Sequence, residues 1–248
     1  MYQSFALLSL LTQCLAQTQV YSDLYNEFTR YTAFSAAAYT DSCETPPYRS
    51  SVATLFQVSQ DKELVISFRG TSTPKDLDTG FQFSFVNLKA PGTKCLNCKV
   101  HAGFQAAYVS LAKQVTPEIQ SQLSLHPDYF LVVTGHSLGA GIAAIGTAAL
   151  TGLGRLTKTY TFGEPLNGDS SFAEYIESQV PGTNYFRVTY ANDGVPQIPP
   201  TLLGFRHHGN KYWEKESDQN DATTTFMCGK QSTTSNLMSF YKLILPGE

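Results

Sequence analysis

Short apolar runs alternate with longer stretches of helical periodicity along most of the chain. From Ser22 to Tyr39, apolar side chains recur every three or four residues, which predicts an amphipathic helix. The apolar runs Val52 to Val58 and Leu64 to Phe68 flank a polar turn and predict two adjacent strands. Further strands are predicted at Tyr129 to Thr134, Lys158 to Phe162 and Tyr185 to Tyr190, and helices at Val100 to Ser124, Gly139 to Ala149 and Phe172 to Val180. This alternation indicates an α/β fold with a central, mostly parallel sheet flanked by helices.

A sharp turn is predicted between the strand that begins at Tyr129 and the helix that begins at Gly139. Its five residues read G-H-S-L-G, the pattern in which a strained strand-to-helix turn exposes a serine hydroxyl above the sheet. We therefore expect Ser137 to be a nucleophile. The backbone N–H of Leu138, at the positive end of the helix, would face the oxyanion that forms. The alternative is that Ser137 only caps the helix.

Two further candidates follow predicted strands. Thr71 lies in the loop after Phe68, where a hydrolase sheet places a second oxyanion donor, although an ordinary turn threonine is the alternative. Asp193 lies in the turn after Tyr190, at the same kind of strand end as Ser137, so both would lie at one edge of a parallel sheet. Asp193 is thus a candidate catalytic acid. The alternative is that Asp193 only forms an Asx turn beside Gly194.

The composition indicates a globular protein with a large core. The chain has 248 residues, of which 42% are hydrophobic and 15% charged, and its net charge is −3 without any run of Lys or Arg. These values give no electrostatic reason to expect nucleic acid as a partner. Residues 1–16 predict a signal peptide cleaved after Ala16, and no other segment predicts a membrane span. We therefore expect one secreted domain over residues 17–248.

The cysteines are consistent with an oxidising compartment. Loss of the leader removes Cys14 and leaves an even number, Cys43, Cys95, Cys98 and Cys228. The pair Cys95 and Cys98 could be a redox pair or half of a zinc site, but no second cysteine pair accompanies it. A local disulfide is the favoured interpretation, and we expect no metal and no organic cofactor.

Taken together, the motifs resemble the fungal lipase (class 3) family, which includes triacylglycerol lipases and feruloyl esterase type A. This resemblance implies an α/β-hydrolase fold and a monomeric ester hydrolase that acts on a small-molecule ester or a lipid at an oil–water interface. It also implies that Ser137 is the nucleophile, Asp193 the acid, and Thr71 and Leu138 the oxyanion donors. The matching motifs, in family order, are Phe68-Arg-Gly-Thr71, Val100-His-Ala-Gly-Phe104, Gly135-His-Ser-Leu-Gly-Ala140, Thr161-Phe-Gly-Glu-Pro165, Asn192-Asp-Gly-Val-Pro196 and Tyr212-Trp213.

The C-terminal segment departs from this family pattern. The family's catalytic histidine lies in a segment that reads His-x-x-Tyr-Phe-Gly, whereas this sequence has no histidine after His208. Asn236 is the nearest match, and an amide cannot accept the serine proton. His207 resembles a scaffold histidine and is the fallback candidate for the base. We therefore expect impaired turnover.

Other departures concern substrate and cysteine pairing. The polar stretch Thr73 to Thr79 occupies the place of the family's lid and resembles the feruloyl esterase version, so a feruloyl esterase is an alternative. A non-catalytic protein of the same fold is another. Cys43 and Cys228 each resemble family cysteines whose partners are absent, so they either pair with each other or stay free.

Overall fold

The computed structural model of the chain describes residues 17–40, 48–50, 52–70 and 83–230. Several sequence predictions fall outside these ranges and stay predictions. They concern the leader 1–16, Cys43, Thr71, the stretch Thr73 to Thr79, and Asn236.

The predicted helices are confirmed within a few residues at each end. Helix α1 buries Phe28, Tyr31 and Ser35 on one side, as its periodicity requires. The helices of the described residues are α1 (Ser22–Ala37), α2 (Ala102–Leu125), α3 (Leu138–Leu150) and α4 (Ser170–Gln179).

The described strands form a nine-stranded sheet and a separate two-stranded hairpin. The order in the large sheet is β1-β11-β10-β9-β8-β7-β4-β3-β2, and β5 pairs with β6. The strands are β1 (Thr18–Gln19), β2 (Tyr48–Arg49), β3 (Ala53–Val58), β4 (Glu63–Phe68), β5 (Phe85–Asn87), β6 (Lys99–His101), β7 (Phe130–His136), β8 (Leu156–Phe162), β9 (Tyr185–Tyr190), β10 (Asn210–Glu214) and β11 (Thr225–Lys230).

The centre of the large sheet is parallel and its two flanks are antiparallel. Strands β4, β7, β8, β9 and β10 run parallel to one another, whereas β3 and β11 pair antiparallel with the outermost of them. The carboxyl ends of the parallel strands therefore meet at one edge, which we call the catalytic edge. Ser137 follows β7 at this edge, and Asp193 follows β9.

The core lies on both faces of the sheet, because successive residues of a strand point to opposite faces. On one face, Ile66 and Val133 pack with α2 and α3, and on the other Val65 and Val132 pack with α1. None of the helices in the described residues combines the length and the apolar character that a bilayer crossing requires.

Candidate active site

The turn between β7 and α3 holds Ser137 in a strained conformation. Its φ is 56° and its ψ is −127°, a combination that costs a non-glycine residue energy and persists only where the surroundings enforce it. The N–H of Ser137 donates to the Phe162 carbonyl at 2.9 Å, which ties the turn to the end of β8. The serine side chain is half-buried at the catalytic edge, and Oγ has no hydrogen bond to any described residue.

Two glycines allow this turn to form. A Cβ on Gly139 would lie 2.1 Å from the Phe68 carbonyl oxygen, and a Cβ on Gly135 would lie 2.5 Å from the Gly139 carbonyl oxygen. Both neighbours are backbone atoms, which cannot move aside as a flexible side chain would. The close approach of α3 to β4 therefore requires glycine at position 139, and the tight turn from β7 into α3 requires glycine at position 135.

The N-terminus of α3 supplies backbone donors beside Ser137. The N–H groups of Ala140 and Gly141 donate to the Ser137 carbonyl, at 2.9 and 3.3 Å. Leu138 is the first residue of the helix, so its N–H has no acceptor within the helix and remains available at the positive end of the dipole. The other predicted donor, Thr71, follows Gly70 outside the described residues.

Asp193 occupies the loop after β9, with its carboxylate between two backbone segments. Oδ1 accepts the Val195 N–H at 2.9 Å. Oδ2 lies close to Gly163, since a Cβ added to that glycine would be only 2.9 Å from it. Burial raises the pKa of Asp193, while the Val195 N–H and the nearby His136 act in the opposite direction. The carboxylate therefore makes the bond of an Asx turn with one oxygen, and its other oxygen faces the segment that follows β8.

His136 is linked through Tyr39 to Gly70, two residues after the end of β4. The Tyr39 hydroxyl accepts the Gly70 N–H at 2.9 Å and lies 3.1 Å from His136 Nδ1. Which of the Tyr39 hydroxyl and Nδ1 donates depends on the tautomer of His136. Among the described residues, His136 makes no hydrogen bond to Ser137 Oγ. Burial lowers the pKa of His136, and Asp193 opposes that effect.

We expect Tyr39→Phe to lower the free energy of unfolding by about 1 kcal/mol, because the Gly70 N–H would lose its acceptor. Urea denaturation measures the change. Tyr21→Phe is the matched control, since Tyr21 is 84% exposed, and it should leave the midpoint unchanged. Equal midpoints for the two variants would show that the Tyr39 hydroxyl stabilises nothing.

The other four histidines do not bond to Ser137 either. His101 caps α2 by accepting from Gly103 and Phe104 at Nδ1, and burial lowers its pKa to about 4. His126 follows α2 at the opposite edge of the sheet. His207, the fallback candidate, is half-buried, and its Nε2 donates to the Pro196 carbonyl at 2.8 Å.

His208 belongs to a buried polar cluster that the sequence did not reveal. Its Nε2 lies 3.4 Å from Glu164 Oε1, and its carbonyl accepts from Arg187 Nε at 2.6 Å. Glu164 also accepts from Asn167 Nδ2 at 2.6 Å and from the Tyr185 hydroxyl at 2.9 Å. Burial raises the pKa of Glu164 to about 7, with Arg187 acting against it. The cluster joins the segment after β8 to β9 and to the segment before β10.

The raised pKa of Glu164 predicts a pH-dependent stability. A carboxyl whose folded-state pKa exceeds its unfolded value stabilises the fold below the unfolded pKa, and this contribution is lost as pH rises through the folded pKa. Because the pKa of Glu164 rises from the ordinary 4.5 to about 7, the stability lost above the folded-state pKa amounts to about 3 kcal/mol. Glu164→Gln should remove this decline in the free energy of unfolding, as urea titrations at several pH values would measure. Glu174→Gln, which changes an exposed carboxyl on α4, should retain it.

The structure shows the bonding state of three cysteines. Cys95 and Cys98 are joined by a disulfide with Cα atoms 5.6 Å apart, and Cys228 is also disulfide-bonded, so it is not free. Within the described residues, no group of three or more His, Cys, Asp or Glu side chains could hold a metal ion.

Comparison with known proteins gives one family. The family model described as lipase (class 3) matches residues 65–203. The secreted mono- and diacylglycerol lipase 1 of Fusarium solani is 34% identical over 152 residues, which cover 61% of this chain and 44% of that protein. The lipase of Rhizopus oryzae is 28% identical over 246 residues, covering 88% of this chain and 61% of that protein. The chain thus spans roughly half the length of these curated relatives.

Solved structures share the fold described above. Lipase II from Rhizopus niveus superposes with a TM-score of 0.77 at 26% identity, covering 89% of this chain and 91% of that one. The triacylglyceride lipase of Rhizomucor miehei gives 0.75 at 26% identity, with 89% and 91% covered. These likenesses confirm the α/β fold predicted from the hydrophobic pattern.

Proposed function

The chain belongs to the lipase (class 3) family, and from this membership we propose that it hydrolyses carboxylic esters through an acyl-enzyme on Ser137. The observation that carries the proposal is the strained, half-buried Ser137 at the positive end of α3. Its Oγ attacks the acyl carbonyl and forms a tetrahedral intermediate, from which the alcohol departs. Water then attacks the acyl-serine and releases the acid.

The neighbouring groups act on charge that develops during these steps. The Leu138 N–H, together with Thr71, stabilises the oxyanion of the tetrahedral intermediate. Asp193 is the carboxylate that orients and stabilises a protonated base in a triad. Its position after β9, at the same edge as Ser137, supports this role.

Acylglycerols are the substrate class, and the site of action is outside the cell. The support is that relatives are named lipases, including a secreted mono- and diacylglycerol lipase. The predicted leader 1–16 and the disulfide between Cys95 and Cys98 agree with secretion.

Turnover by these 248 residues is slow, because acylation lacks a proton acceptor. The sequence has five histidines, none of them after His208, and no histidine of the described residues bonds to Ser137 Oγ. A triad without its base retains only the contribution of binding and of the oxyanion hole, roughly 10³- to 10⁴-fold over water.

The proposal is tested by incubating the purified chain with p-nitrophenyl butyrate, a monoacylglycerol and methyl ferulate, and measuring the released acid over hours. We expect slow release from the first two, above the buffer blank and above release from methyl ferulate. Release at the blank level from all three would favour a non-catalytic protein of the same fold. Preference for methyl ferulate would favour the feruloyl esterase alternative. A turnover number of about 10 s⁻¹, which is typical of intact enzymes, would refute the claim that the site lacks a base.

A further inference from the structure

Arg187 of β9 is fully buried, and only one nitrogen of its guanidinium group is bonded to a described residue. Nε donates to the His208 carbonyl at 2.6 Å, whereas Nη1 and Nη2 have no acceptor among the described residues. An arginine side chain keeps its charge in proteins and has no other use for these N–H groups than to donate them. Buried donors are nearly always satisfied by protein, water or an ion, so the two Nη groups require a further partner.

Lys211 of β10 is a second cation beside this guanidinium. It is the register partner of Arg187, and paired residues of neighbouring strands, about 4.8 Å apart, point to the same face. That face is opposite to Phe186 and Tyr212, which belong to the cluster packed against α1. Lys211 is half-buried, and its Nζ lies 5.6 Å from the centre of the Trp213 ring. Burial and Arg187 lower the pKa of Lys211 to about 8, as expected of two cations that share a poorly solvated space. We call Arg187 and Lys211 the buried cation pair.

The carboxylates near the buried cation pair are bonded to other groups. Glu164 and Glu177 attract the guanidinium at longer range. Glu164, however, accepts from a neutral side chain at each of its oxygens, and Glu177 accepts from the Gly209 N–H and from Lys230 Nζ. Burial also raises the pKa of Glu164 to about 7, so most of this carboxyl is protonated at about pH 6. The pair therefore holds positive charge that no described carboxylate compensates by direct contact.

An anion matches the buried cation pair better than water does. Water could accept from the Nη groups, but it would leave two positive charges uncompensated beside a fully buried side chain, which is costly. The neighbouring His207 and His208 add no charge of their own, because burial and the guanidinium lower the pKa of both. A monovalent ion such as chloride suits the pair better than sulfate, because a doubly charged ion costs more to remove from water.

We propose that the buried cation pair binds a small monovalent inorganic anion, of the size of chloride or bromide, between Arg187 Nη1 and Nη2 and Lys211 Nζ. The anion joins β9 to β10, and the loop that carries Asp193 begins where β9 ends, six residues after Arg187. Binding therefore stabilises the two strands that lead to this side of the catalytic edge. The inference does not depend on ester hydrolysis.

Bromide NMR measures binding directly, because the line of dilute bromide broadens when the ion exchanges with a protein site. We expect the 248-residue chain at about pH 6 to broaden this line and excess chloride to reverse the effect. Lys211→Met, which removes one cation and keeps a side chain of similar length, should lower the chloride-sensitive broadening about tenfold or more. Lys215→Met is the matched control, since the Lys215 side chain is 53% exposed just beyond β10, and it should behave like the parent.

Thermal unfolding tests the same site by its effect on stability. Replacing fluoride by about 100 mM bromide at constant ionic strength should raise the unfolding midpoint of the parent by roughly 2 to 4 °C, because the ion binds only the folded chain. Fluoride is the reference because it is strongly hydrated and is costlier to bury. In fluoride alone, Lys211→Met should unfold at a higher temperature than the parent, since it no longer buries an uncompensated charge, and bromide should add nothing.

Three results would overturn the inference. Equal broadening by Lys211→Met and the parent would place the bound anion elsewhere. An equal loss in Lys215→Met would show that bromide only screens surface charge. Absence of chloride-sensitive broadening, with the same midpoint in bromide and in fluoride, would mean that water satisfies the Nη groups. None of these measurements involves an ester, so their outcome is independent of the proposed function.

Discussion

A chain carrying Ser137→Ala should take up no fluorophosphonate, whereas the parent chain should be modified once. The reagent forms a phosphonate ester with a serine that is exposed beside oxyanion donors, and Ser137 combines its strained turn with the free N–H of Leu138. Intact-mass spectrometry after a long incubation measures the adduct. Ser110→Ala is the matched control, because Ser110 is an exposed serine on α2 whose hydroxyl donates to the Ala107 carbonyl.

The same substitution should have a much smaller effect on ester turnover. Triad residues act as a unit, so if the site lacks its base, as we propose, removing the serine costs little more, whereas in an intact site the loss is roughly 10⁶-fold. We therefore expect turnover of p-nitrophenyl butyrate by Ser137→Ala to fall far less than that. An undiminished adduct in Ser137→Ala would show that another residue is the nucleophile, and a fall near 10⁶-fold would show that a base is present.

Gly139→Ala should destabilise the fold by roughly 3 kcal/mol or more, at the upper end of overpacking effects. The new Cβ would lie 2.1 Å from the Phe68 carbonyl oxygen and 2.7 Å from the Arg69 carbonyl carbon. Both are backbone atoms of β4 and the residue that follows it, so relief requires α3 to move away from the sheet. Urea denaturation followed by circular dichroism measures the change.

Gly152→Ala is the matched control for this effect. Gly152 also lies near α3, in the 3-10 turn that follows it, but its nearest neighbour to a new Cβ is the Gly92 carbonyl oxygen at an ordinary 3.6 Å. We expect the free energy of unfolding of this variant to stay within about 0.5 kcal/mol of the parent. Equal destabilisation by the two substitutions would mean that the approach of α3 to β4 does not require Gly139.

The parts of the fold that the sequence predicted are those with local signals. The periodicity of α1 and α2 and the apolar runs of β4, β7 and β9 each lie within one segment, and the two glycines around Ser137 mark the turn. Strands β10 and β11 were missed because their apolar and polar residues mix. In β10, only Tyr212 is buried.

The contacts that tune the site have no local signal. The hydrogen bond between Tyr39 and His136 joins residues 97 positions apart, and the bond from Tyr185 to Glu164 joins residues 21 apart on separate elements. Nothing in the periodicity of either segment predicts such a pairing, since it depends on how the strands are ordered in the sheet. The pKa of Glu164 follows from burial, which likewise becomes visible only in the folded chain.

The pH dependence of Ser137 phosphonylation tests the central claim most directly. The rate of adduct formation is measured by peptide mass spectrometry from about pH 6 to about pH 9, a range that spans the titration of an ordinary histidine. We predict an adduct on Ser137 alone, at a rate that rises continuously with pH as hydroxide takes the place of the base that we propose is missing. A rate that levels off above about pH 7, as an imidazole base would produce, or an adduct at any other residue, would contradict the account.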